Sequence, residues 1–125
     1  MLVALDPGRN LGVAFVSEGG ALERHHVITL EELGHLDLPA GATVLVGDGT
    51  GSAAVVSALR RLGIEPTLVP EEGTTLEARA LYFADHPPKG LARLVPRGLL
   101  SPPVPIDDYA AYAVALRWLA RRMPE

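Results

Sequence analysis

The sequence predicts an α/β fold built on one mixed β-sheet, and three observations predict it. Short apolar segments punctuated by Pro, Gly and Asn crowd residues 2–29, as in an antiparallel meander of three strands. Between residues 42 and 69 an apolar segment, a helical pattern and a second β-rich segment follow one another, which is the order of a parallel crossover unit. Two more stretches of helical periodicity come after it.

The elements follow in order. Residues 2–6, LVALD, make the first strand and 11–17, LGVAFVS, the second, with the turn cluster PGRN between them. Gly19 and Gly20 punctuate the chain before ALERHHVIT, where Leu22, Arg24 and His26 alternate with Glu23, His25 and Val27 across a third strand. The polar, Leu-bearing residues 31–38 hold a short helix. ATVLVGD, 42–48, is a compact apolar run bounded by Gly, the pattern of a strand buried on both faces. In GSAAVVSALRRLG, Ser52 is the expected N-cap, Val55, Ala58, Leu59 and Leu62 the inward face, and Gly63 the stop. IEPTLV, 64–69, reads as a fifth strand that Pro66 confines to an edge.

TTLEARALYFA opens on a capping-box pattern, Thr74 with Glu77, and sets Leu76, Ala80 and Phe83 on one face; DHPP ends the helix. Residues 87–105 are rich in Pro and Gly and carry Lys89, Arg93 and Arg97, a basic loop of the length that is often functional. In IDDYAAYAVALRWLARR, Ala111, Val114, Ala115, Trp118 and Leu119 form an apolar stripe with Trp118 in the core, while Arg117, Arg121 and Arg122 suit the negative end of the helix dipole.

A chain of 125 residues fits one domain with its own core, and 48% hydrophobic with 21% charged residues is ordinary for a soluble globular protein. With no cysteine, disulfides and thiolate metal sites are excluded. No apolar run approaches the ~20 residues of a membrane span, and no basic flank with a signal-like core stands at the N-terminus, so a cytoplasmic location is expected. The net charge of −4 argues against a generally basic nucleic-acid coat. Of the eleven Lys and Arg, however, only Arg9 and Arg24 precede Arg60, which makes the second half the place for a polyanion to dock.

The acids are the groups that would carry chemistry. Asp6 ends an apolar strand, where a charge is costly unless paired, although Asp before Pro-Gly is also an ordinary turn former. Asp107 and Asp108 open the last helix, where an anion caps and complements the dipole. Yet Asp107 lies four, seven and eleven residues before Ala111, Val114 and Trp118, so it shares their inward face, and Asp108 points to the flank. Asp48 follows the fourth strand and Glu71 and Glu72 the fifth. In a mixed sheet the carboxyl ends of the parallel strands converge on one edge. Carboxylates gathered there repel one another unless divalent cations sit between them. Two such cations about 3.5–4 Å apart are a recognised device for phosphodiester hydrolysis, and oxygen-only ligands suit Mg²⁺ or Mn²⁺.

With these pieces in order, the chain resembles the RuvC-like/YqgF branch of the RNase H-like superfamily. LDPGRNLGVAF is similar to the family's opening motif, VPEEGTTLEAR to its V-D-E-R-x-[ST]-T-x-x-A segment, and IDDYAAYAVALRWL to its terminal D-x-x-A-A helix. The resemblance implies a five-stranded mixed sheet ordered 3-2-1-4-5, strand 2 antiparallel, with flanking helices. It implies a nuclease acting on precursor ribosomal RNA or four-way DNA junctions, with Asp6, Glu71 and Asp107 at the catalytic acid positions and Asp6 and Asp107 as metal ligands. Asp48 stands where other RNase H-like nucleases supply a further acid and is kept as a candidate ligand. The chain departs from the family pattern at Pro70, where the family has Asp, and at Glu72, where it has Arg. A junction substrate would also call for a homodimer, because two strands are cut symmetrically.

Arg9, Arg79, Lys89, Arg93 and Arg97 are the candidate contacts to the nucleic-acid backbone. His25 and His26 read as surface histidines, since consecutive strand residues face opposite sides and cannot share a metal. GDGTGS has no following Lys and is not a phosphate loop, although Thr50 and Ser52 could donate to a phosphate. Two alternatives stand beside the nuclease: a non-catalytic nucleic-acid-binding protein on the same architecture, and a nucleotide-binding relative of the actin-like phosphotransferases, which close two such domains around the nucleotide.

Overall fold

The computed structural model describes residues 1–87, 90, 94, 102 and 106–122. Lys89, Arg93 and Arg97, three of the expected backbone contacts, lie outside the described residues.

The strands are β1 (Leu2–Pro7), β2 (Leu11–Val16), β3 (Leu22–Ile28), β4 (Thr43–Gly47) and β5 (Thr67–Val69), and the helices are α1 (Ser52–Arg61), α2 (Thr74–Asp85) and α3 (Asp107–Arg122). A 3-10 helix, Glu31–His35, precedes β4. The five strands form one sheet in the order β3-β2-β1-β4-β5. β2 is antiparallel to both β1 and β3, whereas β1, β4 and β5 run parallel. Pro66 falls just before β5, which shrinks to three residues at the sheet edge and pairs only with β4.

β1 is the middle strand, and its side chains alternate between two cores. Val3 and Leu5 pack with Val55 and Leu59 of α1 and with Leu33 of the 3-10 helix. Leu2 and Ala4 pack with Ala111, Val114 and Ala115 of α3. Side chains as buried as Val3 and Leu5 are each worth about 1.5–3 kcal/mol, so this strand anchors the fold. Small residues on α3 let the helix approach the sheet, and the approach is tightest at Gly12, where a Cβ would lie 1.9 Å from the Asp107 carbonyl oxygen. Gly12 pairs with Asp6 across β1 and β2, so the start of α3 rests over the sheet row that holds Asp6. α2 then covers part of α3, with Ala78, Tyr82 and Phe83 buried against Tyr109. Among the described residues, no helix is long and apolar enough to cross a membrane.

Local expectations fail where glycine takes over the helix starts. Gly51 (φ 91°) and Gly73 (φ 84°) are the N-cap residues, in a left-handed conformation that glycine adopts without a Cβ penalty. Ser52 and Thr74 are thereby moved inside their helices, and neither caps. The Thr74 hydroxyl instead donates to the Glu71 carbonyl at 2.8 Å. The Thr-x-x-Glu reciprocity occurs at Thr29 and Glu32: the Thr29 N–H donates to Glu32 Oε1 at 3.0 Å and the Glu32 N–H to Thr29 Oγ1 at 3.3 Å.

Two helix faces are corrected as well. Leu76 and Ala80 are exposed and α2 buries Ala78, Tyr82 and Phe83, because its partner is the side of α3 rather than the sheet. Leu62, past the end of α1, is exposed while Val55 and Leu59 are buried. Trp118 is only partly buried, at the rim of the α3 core, with the Arg122 guanidinium 4.6 Å over its ring.

Candidate metal centre

Parallel pairing puts the carboxyl ends of β1, β4 and β5 at one edge of the sheet. Asp6 is the penultimate residue of β1 and by strand alternation projects to the α3 side with Leu2 and Ala4. Glu71 arrives from the turn after β5, and Asp107 from the first residue of α3 laid over Gly12.

The Glu71 carboxylate lies across Gly47 and Gly49. A Cβ at Gly49 would stand 1.4 Å from Glu71 Oε1, and one at Gly47 would stand 2.5 Å from Oε2 and 3.4 Å from Asp6 Oδ1. The two glycines leave open the space that this carboxylate fills, and a side chain at either would press its tip aside. Glu71 Oε2 is buried and has no hydrogen-bond partner among the described residues. An unpartnered buried oxygen costs about 1–3 kcal/mol, so the position is expensive unless a proton or a cation comes to it.

The proton comes to Asp6. Its carboxyl is pushed from the usual 3.8 up to about 8, first by burial, then by the hydrogen bond and charge of Glu71, and then by the charge of Asp107. Two facing carboxyls can bond only while one of them stays protonated, and here the proton stays on Asp6. The Asp107 carboxyl is likewise held above its ordinary range, by burial first and the neighbouring charge of Asp108 second. The charges of Glu71 and Asp107 thus both bear on Asp6.

Asp48 and Asp108 are used differently. Asp48 is exposed, and its Oδ1 accepts the Glu71 backbone N–H at 3.2 Å while its own N–H donates to the Val69 carbonyl at 3.0 Å. It therefore fixes the backbone from which Glu71 projects. Asp108 turns to β3, with Oδ2 2.6 Å from His25 Nδ1, while Oδ1 accepts the Tyr109 N–H at 3.0 Å. His25, expected at the surface, is 41% exposed yet latches the first turn of α3, whereas His26 meets the edge of Phe15 at 6.0 Å.

The residue that the sequence reading missed is Arg117. It donates to the carbonyls of Pro70 (3.1 Å) and Glu72, the two residues that flank Glu71, and pairs with Glu77 Oε1 at 2.6 Å. Its signal lies in position: it stands ahead of Arg121 and Arg122, which occupy the last turn, so the helix dipole does not account for it. Arg117→Ala should lower the unfolding free energy by about 2 kcal/mol, because it strips three acceptors of a mostly buried guanidinium; Arg117→Lys should recover only part, lacking the planar fork. Urea unfolding of the two variants checks this, and an unchanged midpoint in Arg117→Ala would contradict it.

Among the described residues, no three carboxylate or imidazole groups are already arranged to enclose a metal ion. The Asp6–Glu71 pair has an unpartnered oxygen, and the charge of Asp107 bears on Asp6. Hard carboxylate oxygens without thiolate or imidazole fit Mg²⁺ or Mn²⁺. Of the candidate backbone contacts, Arg9 is exposed in the turn after β1 and Arg79 is half-buried on α2. No protein-family model, curated protein or solved structure matches the chain.

Proposed function

We propose that the chain is a divalent-cation-dependent phosphodiester hydrolase on an RNase H-like fold, acting on structured RNA or branched DNA. The observation that carries the reading is the buried, unpartnered Glu71 Oε2 pressed against an Asp6 carboxyl that keeps its proton. Loss of that proton leaves three carboxylates at one sheet edge, an arrangement that calls for a divalent counter-charge. Asp6, Glu71 and Asp107 would hold Mg²⁺ or Mn²⁺, and the bound cation supplies charge stabilisation to a phosphodiester and acidity to a water.

The chain's own contribution is positioning. The glycine cradle and the Asp48 hydrogen bond fix Glu71, Arg117 holds the carbonyls on either side of it, and Gly12 lets α3 bring Asp107 over Asp6. Arg9, three residues beyond Asp6, has no hydrogen bond or ion pair among the described residues and offers its guanidinium to a phosphate, a contact that positions nucleic acid without reading its sequence.

A non-catalytic nucleic-acid-binding protein of the same architecture is the second reading. It draws support from Asp48, committed to a backbone N–H, and from the hydrogen bond between Asp6 and Glu71, which holds the two carboxyls together without a cation. Incubating the purified protein with a four-way DNA junction and a structured ribosomal RNA precursor, in Mg²⁺ or Mn²⁺, separates the two. The hydrolase reading expects cation-dependent cleavage that disappears in Asp6→Asn with the fold intact. Salt-sensitive binding without turnover in either cation would overturn it in favour of the second reading.

A further inference from the structure

Beside the carboxylates, but on the other face of the sheet, a cavity of about 130 Å³ opens between the β1–β2 turn and α1. Pro7 forms part of its wall, so the cavity and Asp6 belong to adjacent residues of one strand, projecting to opposite sides. Leu11, Leu30, Ala54 and Val55 supply apolar walls, and Arg9 and Asn10 stand at its polar side. Neither Arg9 nor Asn10 has a side-chain hydrogen bond or ion pair among the described residues, and Leu30 is 40% exposed at the rim. Apolar walls with an unpaired amide and an unpaired guanidinium are the lining of a site for a flat, polar-edged ring attached to an anion. For scale, an apolar cavity of ~150 Å³ admits benzene, so this one, of about 130 Å³ and open at the Leu30 rim, has room for at most one six-membered ring with its edge left outside.

The geometry points to a base-binding site: one unpaired pyrimidine of a nucleic-acid strand inserts its ring between Leu30 and Ala54, its edge meeting Asn10 and its phosphate meeting Arg9. This inference rests on the nucleic-acid reading above and deepens it, since a strand crossing the end of β1 would present its backbone to the carboxylates and one base to the cavity. It also assigns a consequence to the substrate: the strand must be single or locally unpaired at that nucleotide, because a paired base cannot leave its stack without cost.

The test uses short pentanucleotides of equal charge, one wholly abasic and one carrying a single central uracil, with binding followed by fluorescence anisotropy in Ca²⁺. Uracil is expected to tighten binding to the wild type about tenfold, which corresponds to ~1.4 kcal/mol. Ala54→Leu fills the cavity from an exposed helix position with a good helix former, so the fold is kept. It should reduce the gain to less than twofold while binding the abasic oligomer as the wild type does, and Leu30→Ala should weaken the gain from the opposite wall. Equal, salt-dependent binding of both oligomers by the wild type would overturn the base site and leave the nucleic-acid reading standing. A full uracil gain in Ala54→Leu would also overturn it, and failure of the wild type to bind either oligomer would remove the reading on which it rests.

Discussion

Gly12→Ala is expected to lower the unfolding free energy by about 3 kcal/mol and the melting temperature by roughly 10 °C. The added Cβ would fall 1.9 Å from the Asp107 carbonyl oxygen and 2.3 Å from its carbonyl carbon, so a backbone has to move. The element that yields is the start of α3, which carries Asp107, and the variant should lose cation response together with stability. Gly49→Ala is the informative control, because its Cβ meets the tip of the Glu71 carboxylate rather than backbone. It should cost about 1 kcal/mol or less, as a side-chain tip can turn aside, and yet disturb the site as strongly. Thermal unfolding of the pair checks both; a Gly12→Ala protein within 0.5 °C of the wild type would mean that α3 does not lie where it is described.

The second large effect is a stabilisation. Asp6→Asn should make the cation-free protein more stable than the wild type at pH 9, by on the order of 2–4 kcal/mol, and leave it nearly unchanged at pH 4. The sign follows from the direction of the shift. The folded carboxyl titrates near 8, above its unfolded value of 3.8, so between those pH values the folded protein holds a proton that the unfolded chain has released. Stability contributed by that proton is fully present below about pH 4 and is lost as the pH rises through about 8. Asparagine mimics the protonated form at every pH and donates to Glu71 without a titration, so its advantage grows across the same window. Urea unfolding at pH 4, 6.5 and 9 measures it. A wild type whose stability rises from pH 4 to pH 9 relative to Asp6→Asn would show that the Asp6 carboxyl is not held protonated.

Much of the topology was legible because the apolar segments are short, cleanly punctuated and ordered as a meander followed by a crossover. Pro66 marked the edge strand for the plain reason that it has no N–H to donate. The carboxylates were legible as strand-end and helix-start acids: Glu71 bonds Asp6 and the charge of Asp107 bears on it, while among the described residues no three such groups enclose a metal ion. What escaped was tertiary. Gly12 reads in sequence as one residue of the second strand, whereas its work is to admit the backbone of α3. The capping patterns at Ser52 and Thr74 were overridden by the glycine before each, and the inward face of α2 was misassigned because its neighbour is a helix edge. Arg117 escaped because pairing with carbonyls some 45 residues away leaves no local pattern.

The most direct test of the central claim, that Asp6, Glu71 and Asp107 form a divalent-cation site, is a calorimetric titration of Mn²⁺ into the purified protein at pH 8. The melting temperature is followed in parallel. Saturable binding with proton release and a rise in melting temperature is the predicted result for the wild type, because the cation replaces the proton held between Asp6 and Glu71. Both signals should be lost in Asp6→Asn and in Glu71→Gln. No saturable heat in the wild type, or the same binding and the same thermal shift in all three proteins, would contradict the account.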